Sequence, residues 1–163
     1  MTSGGSGGRA SGPARAIVYG GALVGLFDFG YATILAWWAG RPLYRPWQGV
    51  ASALLGRDAF AAGAPAVLLG LLCHFVVAFS IVTAYVLASR RLALLTRLAA
   101  ALGMLYGAFV FFVMNWVVIP LTRIGHAPAF TRSSLVSSLV VHVFLVGLPA
   151  ALFARRAAGW RTA

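Results

Sequence analysis

AFAAGAPAVLLGLLCHFVVAFSIVTAYVLAS, residues 59–89, contains no Asp, Glu, Lys or Arg. A membrane-spanning helix needs about 20 apolar residues, so this run holds one span with room to spare. Its one strongly polar residue, His74, lies near the middle. Three further windows read the same way. Residues 98–122 and 133–154 are free of charge, and 16–40 carry only Asp28. The estimated spans are 16–38, 65–89, 98–121 and 134–154, and each contains one strongly polar residue: Asp28, His74, Asn115 and His142.

Composition agrees. The chain of 163 residues is 61% hydrophobic and 9% charged, against about 25% charged in soluble domains. Mean hydropathy is +0.92. Too little charge is present to cover a water-facing surface. The expected fold is all-α, a polytopic membrane protein built as a four-transmembrane-helix bundle (16–156). It is preceded by a flexible Gly/Ser-rich tail (1–15) and followed by a short C-terminal tail (157–163). The first window resembles a signal peptide in its preceding basic residues. It is too long for a signal core of about 7–15 residues, holds Asp28 centrally and ends Ala36-Trp37-Trp38-Ala39 without a small-residue cleavage site, so it is expected to remain.

The net charge of +11 comes from thirteen basic residues, all Arg, against Asp28 and Asp58. The arginines cluster at span ends rather than among aromatics on a polar face. That placement argues for topology and contact with anionic lipid headgroups, and against nucleic acid. With four spans, one side holds Arg9, Arg15, Arg90, Arg91, Arg97, Arg155, Arg156 and Arg161, eight in all, and the other holds Arg41, Arg45, Arg57, Arg123 and Arg132, five. Excess positive charge stays cytoplasmic. The expectation is therefore a bacterial inner-membrane protein with both termini cytoplasmic.

The first outer loop is too long for a turn. Pro46 suits a helix start, and Trp47, Val50, Ala51, Leu54 and Leu55 recur at helical spacing before Gly56. This predicts a short amphipathic interfacial helix over about 46–56, with a re-entrant lid as the alternative. Trp37, Trp38, Tyr44 and Trp47 would form an aromatic belt there, with Trp160 at the opposite face.

Small residues mark where membrane helices approach closely. Gly21, Gly25, Asp28 and Ala32 share one face, as do Ala66, Gly70, His74 and Ala78. So do Gly103, Gly107, Phe111 and Asn115, and Ser134, Ser138 and His142. Each polar residue lies on a small-residue stripe. At 1.5 Å per residue all four fall within about 6 Å of one depth, so they are expected to meet inside the bundle. Pro120 is expected to end the third span. Pro149 is expected to kink the fourth, since it leaves the Leu145 carbonyl without its helical donor.

Intramembrane ionisable groups are costly and mark candidate functional sites. Three readings compete. The first is an interhelical hydrogen-bond network in a protein that assembles with itself or a membrane partner. The second is a proton or substrate pathway around Asp28, His74 and His142, because Asp28 can accept from a histidine ring. The third is a transition metal or haem held by those residues. The first is the leading expectation, with no cofactor required. Cys73 stands alone, so neither a disulfide nor a CxxC motif exists, and no catalytic motif appears.

Two segments, GVASALLGRDAFAAG (49–63) continuing to LLGLLCHF (68–75), and GMLYGAFVFFVMNWVVIPLTR (103–123), resemble those of uncharacterised bacterial four-helix inner-membrane proteins. The resemblance extends over roughly 16–156. It implies a fold and a membrane, and no activity or site residue. Small multidrug exporters share the four helices and an acid in the first, but their acid is Glu and they are shorter, so the analogy is architectural only.

Overall fold

The computed structural model describes residues 11–159. Residues 1–10 with Arg9, and 160–163 with Trp160 and Arg161, lie outside the described residues. Within them the chain is mostly helical, without strands. Four helices are long and apolar enough to cross a membrane. They are α1 (Ser11–Trp38), α3 (Gly63–Ser89), α5 (Ala99–Leu121) and α6 (Arg132–Gly159), with the short α2 (Arg45–Leu55) between the first two and a single turn, α4 (Leu94–Arg97), before α5. The stretch 11–15, expected as tail, is the first turn of α1.

Neighbouring long helices run antiparallel, and the small-residue stripes are where they touch. Gly21 and Gly25 of α1 lie under the Phe79 and Phe75 rings of α3, leaving no room for a Cβ. Gly103 and Gly107 of α5 press directly on the α6 backbone at Gly147 and His142. α6 touches α1, α3 and α5 and is the centre of the bundle. Between α3 and α5 the main link is Tyr106, whose hydroxyl donates to the Ile81 carbonyl at 2.9 Å and whose ring meets Tyr85 edge-on.

Gly70 does different work from the other stripe glycines. A Cβ there would run into the Trp47 carbonyl, so at Gly70 the stripe meets α2, whereas at His74 and Ala78 it meets α1. Gly70 lies seven residues into α3, about 10 Å along its axis at 1.5 Å per residue. α2 is therefore tucked well below the end of the bundle. Its buried face also differs from the expected one. Trp47, Gln48, Ala51 and Ser52 are buried, whereas Leu54 is exposed. Two polar residues turn inward because each finds a local partner: Gln48 accepts from Arg45, and Ser52 donates to the Gly49 carbonyl. The far end of α2 is held by Arg123, whose backbone N–H donates to Ala53 and whose guanidinium donates to Leu54. Trp37, Trp38 and Tyr44 are exposed, but Trp47 has left the expected belt and is only 4% exposed.

Pro120 and Pro149 behave alike. Each follows a wide π-helical turn, over Met114–Val118 in α5 and His142–Gly147 in α6. Ile119 donates to Met114 and Leu148 to Val143, five residues back instead of four. The disturbance expected at Pro149 thus takes the form of a widened turn beginning at His142. α5 ends one residue after Pro120.

Candidate functional site

Both π turns contain a polar residue, Asn115 in one and His142 at the start of the other. Such turns often sit at functional sites, because they re-aim side chains that a regular helix would leave in line. Here they face α1 and α3, which carry Asp28 and His74. All four residues line one cavity of about 200 Å³, together with Val50 of α2 and Met114. The rest of its wall is apolar, and a cavity of that size with polar groups at these points has room for several water molecules.

The His74 ring is fixed by two neighbours. Nε2 lies 2.9 Å from the Gly25 carbonyl, which can only accept, so Nε2 carries the proton. Nδ1 then faces Asp28 Oδ2 at 3.7 Å. In a neutral ring, that leaves a nitrogen lone pair opposite a carboxylate oxygen. A proton added to the ring would convert two facing acceptors into a charge-assisted contact.

Trp47 closes this corner. Its ring stacks on Phe29, centroids 4.6 Å apart, and meets His74 edge-on at 5.3 Å. Phe75 meets the same imidazole edge-on. On the opposite wall His142 Nδ1 donates to the Ser138 carbonyl at 2.9 Å, and its ring packs edge-on against Phe111. Its Nε2 has no hydrogen-bond partner among the described residues. Asn115 donates to the Phe111 carbonyl at 2.8 Å. The four residues therefore share a cavity, but only Asp28 and His74 touch through their polar atoms. The two walls are linked through the cavity, not by a continuous chain of side-chain hydrogen bonds.

The geometry gives little to a metal or haem. No group of three or more His, Cys, Asp or Glu that could hold a metal ion occurs among the described residues. His74 has committed Nε2 to a carbonyl and turns Nδ1 to Asp28, so it offers no free axial nitrogen.

Asp28 also belongs to a second cavity. This one is about 470 Å³, opens toward the α2 end, and is lined by Tyr31, Arg41, Arg45, Pro46 and Phe60 among others. A third, of about 320 Å³, shares Val77, Ile81 and Met114 with the central cavity and reaches Tyr106 between α3 and α5. Asp28 is the one residue common to the first two.

Tyr31 and Trp47 escaped the reading of the sequence as site residues. Tyr31 binds the Ser137 and Ser138 hydroxyls at 2.9 and 3.1 Å, tying α1 to α6 beside the site. Ser138, expected as a packing residue, thus also carries an interhelical hydrogen bond. The signal for Tyr31 was present, since it follows Asp28 by three residues on the same helix face. Trp47 carried no comparable signal, because an aromatic at a loop helix reads equally well as an interface anchor.

Comparison of the chain with protein-family models, curated proteins and solved structures finds no match in any of the three.

Proposed function

We propose that this chain is a multi-pass protein of the bacterial inner membrane in which Asp28 and His74 take up and release a proton within a pathway for protons or a small proton-linked substrate. Membrane placement is supported by the exterior of the bundle, where Leu68, Leu72, Val76, Leu105, Phe109 and Phe112 are exposed. An apolar surface that extensive suits lipid, not water. The single observation carrying the functional reading is that Asp28 walls both the central cavity and the one opening past Arg41 and Arg45. A network serving packing alone closes its polar groups on one another. Here the ionisable pair borders space on two sides.

The arginine distribution supports placing both termini in the cytoplasm and α2 outside. Reporter fusions after Arg97 and Arg161 are then expected to behave as cytoplasmic, and one after Arg57 as external. Inverted activities would reverse the direction of the pathway.

The pathway itself is tested in proteoliposomes containing an entrapped pH-sensitive dye, with potassium and valinomycin clamping the potential. After an external acid pulse, the wild type is expected to acidify the lumen faster than empty vesicles. Asp28→Asn is expected to return the rate to that of empty vesicles, because the amide cannot carry the proton. A wild-type rate equal to that of empty vesicles would remove proton permeation. Uptake of no small solute under the same gradient would then leave self-assembly, or assembly with a membrane partner, as the role of the fold.

A further inference from the structure

The α2–α3 groove shares no residue with the central cavity, and meets the second Asp28 cavity at Arg45 and Phe60. It has a volume of about 560 Å³ and is lined by Tyr44, Arg45, Gln48 and Phe60 on one side and by Ala64 and Leu68 of α3 on the other. We propose that this groove binds the phosphate of an anionic phospholipid in the outer leaflet, with an acyl chain lying along Ala64 and Leu68.

Arg45 is held at the mouth. Its guanidinium stacks 4.4 Å above the Phe60 ring and donates to Gln48 Oε1 at 3.3 Å. A guanidinium fixed in this way keeps further N–H donors for a phosphate, which it can engage in a two-pronged manner.

Gln48 is the second observation. It is 3% exposed, yet it lines the groove. Its oxygen is occupied by Arg45, and its amide nitrogen has no partner among the described residues. That nitrogen is not fully sealed from the surface. Gln48 borders the groove, which is where that donor can be reached. A buried amide with a free donor calls for an acceptor.

Below these donors the wall turns apolar. Ala64 and Leu68 lie in the first turns of α3, next to the donors, where an acyl chain attached to a bound headgroup would run. Charge complementarity selects the occupant: the chain carries net +11, and no carboxylate lines the groove.

The proposal depends on membrane placement; Arg45 also borders the second Asp28 cavity, whereas Gln48 borders the groove alone and separates the two roles. Recovery of each variant in the membrane fraction after alkaline washing therefore checks the membrane reading separately. The experiment is native mass spectrometry with thermal unfolding in mild detergent, adding phosphatidylglycerol, phosphatidylcholine or inorganic phosphate. Phosphatidylglycerol is expected to give a one-lipid adduct and to raise the melting temperature, with neither other addition doing so. Arg45→Gln is expected to weaken that adduct about tenfold, the scale of a lost charge-assisted hydrogen bond. Gln48→Glu is expected to weaken it as much, by facing the phosphate with a carboxylate. Arg90→Gln, at the opposite end, is expected to leave it unchanged. Equal adducts in wild type and Arg45→Gln would overturn the site. So would stabilisation by inorganic phosphate alone, which would indicate a small-anion site instead, or by phosphatidylcholine to the same degree.

Discussion

Gly107→Leu is expected to prevent the protein from being recovered in a folded form. A Cβ at this position already meets the His142 carbonyl and the Val143 Cα of α6. Backbone cannot swing aside as a side-chain end can. Overpacking in ordinary cores costs about 1–3 kcal/mol, and this contact should exceed that range because α5 rests chiefly on α6. A graded series separates the cause from general intolerance. Gly107→Ala should still be strongly destabilising. Gly25→Ala should cost about 1 kcal/mol, the low end of overpacking, since the obstacle is the rotatable Phe75 ring. Gly49→Ala meets nothing within 4 Å and should be neutral or mildly stabilising, as glycine is a weak helix former. The measurement is the fraction remaining monodisperse in detergent after heating. Equal melting for Gly107→Ala and Gly49→Ala would mean that α5 and α6 are not in backbone contact.

Trp47→Ala should be the most damaging change outside the four long helices. The indole is almost fully buried, stacked on Phe29 and set against His74. Removing a buried Trp costs about 3–5 kcal/mol in well-packed sites. The loss should also uncover His74 from the α2 end, so proton entry in the vesicle assay should rise while the unfolding midpoint falls. Trp38→Ala is the control. That ring is 82% exposed, and such surface changes usually stay within about 0.5 kcal/mol. Matching melting curves for the two variants would show that α2 is not seated against α3.

The sequence made the long helices and the meeting of the polar residues at one cavity readable, because both follow from where charge is missing and from counting residues. The faces were readable only while the helices stayed regular. On α6 the stripe Ser134, Ser138, His142 would continue at Val146 with a period of four. The wide turn adds one residue, and Gly147 and then Ala151 become the contacts for Gly103. No local feature of the residues 142–147 announces an i→i+5 bond, so Gly147 went unnoticed. The seating of α2 was hidden for another reason. Gly70 looked like every other stripe glycine, and which helix fills the space above it is a tertiary fact. The inward turn of Gln48 and Ser52 likewise depends on partners that an amphipathic pattern does not encode.

The pairing of each wide turn with a proline has a mechanical consequence. Tightening either turn back to regular spacing would press the Pro120 ring on the Trp116 carbonyl or the Pro149 ring on that of Leu145, a clash costing about 3 kcal/mol or more. The prolines act as pawls. Each helix is barred from slipping by a single residue, a slip that would turn everything beyond it by about 100° at 3.6 residues per turn. Asn115 and His142 are thus kept aimed inward by a stop placed several residues downstream in the sequence.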